Sequence, residues 1–304
     1  MISSTLETRE LVTLDGGGVL LHGTYHKAAG KAANGAAGST KNIGVLFLNA
    51  LSTPRSLIGE SGVYWATSFA ARGYPSFRFD LPGLGDSYGE IPNDLVKFAD
   101  EGGWGTIASS KVKELVHSRG LPGVVMFGHC SGATTAIYAA SRSRECKGLI
   151  LMDPYFNLPR SLTPSLRPGL VLWVRSSKTG ALMRAGYDRI RELREALRKE
   201  KLPANANLNL LARVKQVVAN GVPILIFRAP KPPAVGGSVL RAGDFDYFDY
   251  IVSLAERSNQ FTIQEIDDTD HSFSNRAGRL AVRQHSEAWL EQYFPEANSG
   301  GVIL

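Results

Sequence analysis

Short, almost wholly apolar runs recur along this chain and alternate with stretches of helical spacing. Helical spacing is found around Tyr64–Arg72, over residues 104–119 and over Gly132–Ser141. Four apolar runs fit strands that are buried on both faces: GVLFLNA (44–50), YPSFRFD (74–80), PGVVMFG (122–128) and KGLILMD (147–153). Because strand and helix alternate in this way, the pattern predicts an α/β fold with a mostly parallel sheet and helices on both of its faces.

Both ends of the chain extend this pattern. Near the start, Glu10–Leu14 and Val19–Tyr25 flank a DGGG turn and predict an antiparallel hairpin. Near the end, VPILIFR (222–228) and FTIQEID (261–267) predict two further strands, and Arg279–Phe294 predicts the last helix.

The alternation is interrupted over residues 154–220. This segment contains several prolines, an apolar piece at 169–174 and a charged helical stretch at Tyr187–Lys201. It is too long for an ordinary connection between two elements. We therefore predict an inserted cap over 154–220, above the carboxyl ends of the strands where ligands bind in such folds. The predicted core comprises residues 1–153 and 221–304.

Composition narrows the class of protein. Apolar residues make up 43% of the 304 residues and charged residues 20%, which is typical of a soluble globular protein. No apolar run approaches the roughly 18 residues of a membrane span, and the first residues do not resemble a signal peptide. The two cysteines, Cys130 and Cys146, are too few for a disulfide scaffold. A free thiol fits a reducing compartment, so we predict a cytoplasmic protein.

Positive charge is concentrated in one segment. The net charge is +6 and the isoelectric point about 9.3, and most of the excess lies between residues 160 and 215. This charge fits a solvated helix with i,i+4 ion pairs, or a surface for an acidic acyl carrier protein or the phosphates of coenzyme A. No nucleic-acid module and no interleaving of aromatic with basic residues is present, so no nucleic-acid partner is predicted.

The sequence GHCSGA (128–133) lies between a predicted strand and a predicted helix. A nucleophile elbow needs small residues on both sides of a strained nucleophile, because strand and helix nearly touch there. Gly128 and Gly132 meet that need when Cys130 is the nucleophile, whereas a centre at Ser131 would put His129 at a small position. Cys130 is therefore the predicted nucleophile, and the N–H of Ser131 one oxyanion donor. Cys146 has no such context and is expected to be inert.

The remaining groups of the site follow from chain order. The base should be a histidine after the last strand, which is His271. Two carboxylates could orient it: Asp153, directly after its strand, or Asp244, in the lengthened loop after VPILIFR. Sequence leaves both open, with a preference for Asp153; Asp246 is a weaker form of the second choice, and Asp270 is expected to hold the histidine loop.

The second oxyanion donor should lie in the turn after GVLFLNA. The backbone N–H of Leu51 or of Ser52 is the candidate, with Asn49 nearby. No metal is predicted, because His22 and His26 lie on the early hairpin without carboxylate support. No cofactor is predicted either, since no dinucleotide or phosphate-binding fingerprint is present.

These motifs together resemble the α/β-hydrolase superfamily. RGYPSFRFDLPGLGDSYG (72–89) is similar to the region of the superfamily around its fourth strand, GHCSGA to its elbow and DTDHSF to its histidine loop. Three groups with a cysteine elbow are similar. The first group is hydrolases associated with exosortase and exopolysaccharide clusters, which the stretch TPRSLIGESGVYWATSFAARGY (53–74) resembles. The second is Dieckmann cyclases and thioesterase-like enzymes, which the stretch LILMDPYF resembles. The third is dienelactone hydrolase, which is shorter and lacks such a cap. The LILMDPYF likeness favours Asp153.

A thiol at the elbow indicates acyl-group chemistry. Cysteine ionises more readily than serine, and the thioester it forms stays activated toward water, alcohols, amines or an internal carbanion. We therefore predict a cysteine-dependent acyl hydrolase or acyltransferase of the thioesterase type. The alternatives are a Dieckmann-type cyclase on the same three residues, and a non-catalytic hydrolase-fold binding module.

Overall fold

The computed structural model describes residues 9–16, 18–29, 43–51, 53–158, 202–203, 205–230, 245–254 and 260–295. The charged stretch Tyr187–Lys201, the apolar piece at 169–174, and the candidates Asp244 and Ser52 lie outside the described residues. Predictions for them stay predictions.

Eight strands form one sheet in the order β1-β2-β4-β3-β5-β6-β7-β8. The strands are β1 (Arg9–Gly16), β2 (Val19–His26), β3 (Gly44–Leu48), β4 (Ser76–Phe79), β5 (Val124–His129), β6 (Cys146–Met152), β7 (Ile224–Arg228) and β8 (Phe261–Glu265). β1 pairs antiparallel with β2, and β2 antiparallel with β4. Every pairing from β4 to β8 is parallel, which confirms both the opening hairpin and the mostly parallel sheet.

Seven α-helices are described alongside the sheet, together with a short 3-10 turn at Ile58–Glu60. The helices are α1 (Ser61–Ala71), α2 (Leu95–Asp100), α3 (Gly105–Arg119), α4 (Ser131–Ala140), α5 (Leu208–Ala219), α6 (Tyr247–Leu254) and α7 (Arg276–Tyr293). The predicted helices around 64–72, 104–119, 132–141 and 279–294 are thus confirmed as α1, α3, α4 and α7.

The sheet divides the apolar core into two layers. Because successive side chains of a strand point to opposite faces, Leu46 and Met126 pack on one side and Phe47 and Phe127 on the other. The first layer is covered by α3, α4, α5 and α6, and the second by α1 and α7. The central strands are buried along their whole length, so helices on both faces were correctly predicted.

Helix α5 lies inside the segment predicted as a cap, yet it packs on the sheet. Its buried residues Leu210, Leu211, Val214 and Val217 join the same core layer as Ile137 of α4. An apolar stripe of this kind needs a partner surface, and the sheet supplies it. Residues 208–219 thus pack in a core layer, although the prediction placed them in the cap. Residues 159–201 lie outside the described part, and the predicted cap over 154–220 stays a prediction. None of the described helices is long and apolar enough to cross a membrane.

Candidate active site

The turn from β5 to α4 holds Cys130 in a strained backbone conformation. β5 ends at His129 and α4 begins at Ser131, so a single residue makes the turn. Cys130 has φ 53° and ψ −119°, a region that non-glycine residues rarely adopt. Its N–H donates to the Met152 carbonyl oxygen of β6 at 3.0 Å. Strain at a residue that is held by its neighbours is typical of a nucleophile elbow, and the thiol is partly exposed.

Both glycines of GHCSGA are required by the close approach of strand and helix. A Cβ on Gly128 would lie 2.4 Å from the carbonyl oxygen of Gly132, and a Cβ on Gly132 would lie 2.5 Å from the carbonyl oxygen of Leu48. Both neighbours are backbone atoms that cannot move aside. The elbow pattern centred on Cys130 therefore has the physical basis that the sequence predicted for it.

His271 lies beside Cys130, and its ring is held by Asp153. The Nδ1–H of His271 donates to a carboxylate oxygen of Asp153, which leaves Nε2 for the sulfur. Hydrogen bonding to Asp153, and then to Cys130, raises the pKa of His271 to about 10. An imidazolium that lies between a carboxylate and a thiol is suited to stabilise a thiolate and to carry a proton to a leaving group.

Asp153 reaches the histidine because it directly follows β6. Its own N–H donates to the Phe227 carbonyl oxygen of β7 at 2.8 Å, and its φ of 42° turns the chain sharply out of the sheet. Asp246, the weaker alternative, has another function: it forms an ion pair with Arg228 at 3.1 Å and accepts the N–H of Phe248 at the start of α6. Asp153 is bonded to the histidine, and Asp244 lies outside the described residues, so the prediction for Asp244 stays a prediction.

Asp270 shapes the loop that carries His271. Its carboxylate accepts the N–H groups of Ser272 and Ser274 and the Ser274 hydroxyl, at 3.1, 2.9 and 2.6 Å. These bonds lower the pKa of Asp270. The side chain thus holds the loop and does not orient the imidazole, as its position next to His271 in sequence predicted.

The turn after β3 brings Leu51 to the elbow. The Leu51 N–H donates to Ser131 Oγ at 2.6 Å, and Leu51 itself has φ 36°. The two residues predicted to supply oxyanion donors are therefore neighbours. Because the Leu51 amide is bonded to the Ser131 hydroxyl, a substrate oxygen has to displace that hydroxyl to use this donor.

A buried polar network holds this turn in place. Asp80 is fully buried and accepts the Arg55 N–H at 2.6 Å and the Asn49 Nδ2–H at 3.2 Å. Arg55 also forms an ion pair with the same carboxylate. Asn49 in turn accepts the Leu81 N–H at 3.2 Å and donates to the Thr53 carbonyl oxygen at 3.0 Å. These hydrogen bonds fix the turn that carries Leu51.

His129 is a positioning residue to which the sequence analysis gave no role. Its Nε2–H donates to the His271 carbonyl oxygen at 2.8 Å, so it links β5 directly to the histidine loop. Burial lowers the pKa of His129 to about 4, and the ring is neutral at neutral pH. Only its place next to Cys130 in sequence pointed to it; the loop that it holds is more than a hundred residues away.

Cys146 and the other histidines lie away from this site. Cys146 is buried at the start of β6, and burial raises the pKa of its thiol to about 12. His22 and His26 lie on β2, where His26 accepts from Arg78 Nε at 2.9 Å. Among the residues that the structure describes, no cluster of three or more His, Cys, Asp or Glu side chains could hold a metal ion.

Comparison with known proteins identifies the family and the fold of this chain. A family model described as the alpha/beta hydrolase family matches residues 19–283. The solved structure of DcsB with its substrate analogue aligns over 94% of this chain and 99% of its own, at 13% identity and a TM-score of 0.60. An esterase of Pyrococcus furiosus aligns over 95% and 93%, at 12% identity and a TM-score of 0.60.

A dienelactone hydrolase from Anabaena variabilis aligns over 95% of this chain and 99% of its own, at 16% identity and a TM-score of 0.53. Such low identities show the shared fold alone, and the predicted α/β-hydrolase fold is thereby confirmed. None of the curated proteins matches the chain in sequence.

Proposed function

Because this chain belongs to the alpha/beta hydrolase family, we propose that it is a cysteine-dependent acyl hydrolase or acyltransferase, with Cys130 as nucleophile, His271 as acid and base, and Asp153 as the group that orients His271. The observation that carries the proposal is the strained Cys130 beside a histidine whose Nδ1–H is bonded to Asp153.

Acylation begins with the Cys130 thiolate and the His271 imidazolium. The sulfur attacks the carbonyl carbon of an ester or thioester, and the N–H groups of Ser131 and Leu51 stabilise the oxyanion. The bond to the leaving oxygen or sulfur then breaks, and the leaving group takes the proton from His271 Nε2. The products are a thioester on Cys130, a neutral His271 and the released alcohol or thiol.

Deacylation reverses these roles. Neutral His271 takes a proton from water, an alcohol or an amine, whose oxygen or nitrogen attacks the thioester carbon. The carbon–sulfur bond breaks, and the thiolate–imidazolium pair forms again. Water yields a carboxylic acid and the other acceptors yield an ester or amide, so acceptor access to the site decides between hydrolysis and transfer.

Thioesters are the favoured donors. An enzyme thioester formed from a carrier thioester has nearly the same free energy as the donor, so exchange costs little. Acyl groups on coenzyme A or on an acyl carrier protein are therefore the proposed physiological substrates. A reactive thiolate of this kind fits a reducing compartment such as the cytoplasm.

Intact-protein mass spectrometry tests the proposal. Butyryl-N-acetylcysteamine and p-nitrophenyl butyrate are each incubated with the wild type and with the Cys130→Ala, His271→Ala and Cys146→Ala variants. We expect one butyryl group on the wild type and on Cys146→Ala, and none on Cys130→Ala. No adduct from either donor, or an adduct that survives Cys130→Ala, would favour a non-catalytic binding module instead.

The decay of the adduct separates the reaction types. Release of butyrate alone indicates a hydrolase, and release of an ester or amide when an alcohol or amine is added indicates a transferase. A donor that carries an internal nucleophile and leaves as a ring would favour the cyclase alternative. Each product is identified by its mass.

A further inference from the structure

A second group of polar side chains lies along the face of α4 that begins at Cys130. Thr134 is one helical turn beyond Cys130, and its N–H donates to the Cys130 carbonyl oxygen at 3.3 Å. Tyr138 lies one turn further on the same face. Its hydroxyl donates to the carbonyl oxygen of Asp100 at 3.2 Å. This face of α4 therefore packs against the end of α2, where Asp100 is the last residue.

Asp100 is buried, with the Tyr155 phenol as the side chain that partly compensates its charge. The residue is 2% exposed, and neither carboxylate oxygen has a hydrogen-bond partner of good geometry among the residues that the structure describes. Burial accordingly raises the pKa of this carboxyl. The backbone is nevertheless firmly held, because the Asp100 carbonyl oxygen also accepts from Asn207 Nδ2 at 2.8 Å.

Thr134 shows the same feature at the same place. The side chain is fully buried, and its Oγ1 has no hydrogen-bond partner within the described part of the chain. Buried polar atoms are nearly always paired, because leaving one unpaired forfeits its hydration without compensation. Asp80 is a contrasting carboxylate with a structural role. It is equally buried, but it accepts hydrogen bonds from Asn49, Arg55 and Asp86.

Tyr155 closes the group on the side of Cys130. It lies two residues after Asp153, and its phenol interacts with the Asp100 carboxylate, the Thr134 hydroxyl and the charge of Cys130. Burial, followed by the Asp100 charge, raises the pKa of Tyr155, so the phenol keeps its proton at neutral pH. The phenol is therefore close to both the Asp100 carboxylate and Cys130.

We infer that Asp100, Thr134 and Tyr155 form a subsite that binds a hydroxyl group of the substrate beside Cys130. A hydroxyl fits this set because it donates to the Asp100 carboxylate and accepts from Thr134 or Tyr155. An unsubstituted acyl chain would leave the Asp100 carboxylate with the Tyr155 phenol but no second donor, and a site of this kind discriminates against a ligand that lacks the matching group. The inference rests on the proposed acyl-enzyme at Cys130.

The hydroxyl could belong to the acyl chain or to the acyl acceptor. Binding to the Cys130→Ala variant measures the first source without any turnover. Calorimetry compares 3-hydroxybutyryl 4-nitroanilide with butyryl 4-nitroanilide, which differ only in that hydroxyl. We expect the hydroxy compound to bind about tenfold more tightly, as one hydrogen bond to a charged group allows. Adding Asp100→Asn should remove the difference.

Transfer measures the second source. The wild type is acylated with p-nitrophenyl butyrate in the presence of 1-propanol, and the ratio of propyl butyrate to butyrate is determined. If the acceptor hydroxyl occupies the subsite, Asp100→Asn lowers this ratio about tenfold. Glu101→Gln is the matched control in both arms, because it removes the same charge from the exposed neighbouring residue.

Three results are decisive. If Asp100→Asn removes the tighter binding of the 3-hydroxybutyryl compound, the subsite binds a hydroxyl of the acyl chain. If Asp100→Asn lowers the ratio of propyl butyrate to butyrate, the subsite binds the hydroxyl of the acceptor. If neither arm responds to Asp100→Asn, or both respond equally to Glu101→Gln, the inference is overturned. Thr134→Val and Tyr155→Phe repeat the tests should Asp100→Asn fail to fold. The binding arm needs no acyl-enzyme, so its result does not depend on the reaction proposed for Cys130.

Discussion

Cys130 and Cys146 lie at opposite ends of the same two strands, β5 and β6. Cys146 begins β6 and pairs with Val124 at the start of β5, whereas Cys130 follows the last residue of β5. The first thiol is buried, and its sulfur faces the Gly148 carbonyl oxygen at 3.4 Å. The second is partly exposed at the start of α4 beside His271.

The comparison shows that the reactivity of each thiol depends on whether it lies at the carboxyl or the amino edge of the sheet. At the carboxyl edge, the strands end in turns that bring Leu51, Cys130 and Asp153 together, each with a positive φ. At the amino edge of the sheet, Cys146 is enclosed in the core, and its thiol donates to the Gly148 carbonyl oxygen. Burial therefore raises the pKa of Cys146 to about 12, while an imidazolium lies next to Cys130.

The largest expected effect is on thiol reactivity. Near neutral pH, iodoacetamide should alkylate Cys130 at least about 10⁴-fold faster than Cys146, because the thiolate is the reactive form and Cys146 is both protonated and buried. Peptide mapping by mass spectrometry measures both rates. Cys146→Ala should leave the fast reaction unchanged and Cys130→Ala should remove it. Equal alkylation rates of Cys130 and Cys146 in the native protein would contradict the difference drawn between the two thiols.

The second effect concerns the carboxylate that orients His271. Asp153→Asn should lower kcat/KM for p-nitrophenyl butyrate by roughly 10³-fold, since an amide stabilises neither the tautomer nor the charge of the imidazole. Asp246→Asn, which removes only the ion pair with Arg228, should change kcat/KM less than about threefold. The reverse order of the two effects would move the triad acid to the loop after β7.

The third effect is a change in pH dependence. His271 has a raised pKa, so it carries its proton below about pH 10 and loses it above. In the wild type, kcat/KM for an alkyl ester such as ethyl butyrate should fall as the pH rises through about 10, because the departing alkoxide then receives no proton from His271. Asp153→Asn removes the first cause of the raised pKa and should move this alkaline limb toward neutral pH. A limb that stays in place would show that Asp153 does not act on His271.

The smallest effect is on stability and arises from His129. Its pKa is lowered to about 4 from the ordinary value of 6.5 for histidine, so between these pH values the unfolded chain binds a proton that the folded chain does not bind. The free energy of unfolding should therefore decrease as the pH falls from about 6.5 to about 4, by up to about 3 kcal/mol. Urea unfolding measures it, and His129→Gln should flatten this part of the curve.

Local signals in the sequence were sufficient for the strands, the main helices and the elbow. Gly128 and Gly132 at fixed positions around Cys130 reflect a steric requirement of that turn, which the distances to Gly132 and Leu48 confirm. The cap boundary was not accessible in this way. The apolar stripe of α5 predicts that the helix packs against another element, but it does not identify that element. In the structure the helix packs against the sheet.

The identity of the elbow and of the histidine loop was determined by sequence alone, because each depends on residues adjacent in the chain. The tertiary structure showed that Asp153 meets His271, that His129 holds the His271 loop, and that Asp100 and Thr134 lie buried along the helix that begins at the elbow. These contacts join residues from about thirty to more than a hundred positions apart. The packing of β5, β6 and α4 brings these residues together. Their spacing along the chain does not predict this, because distances across a sheet depend on which strands are neighbours.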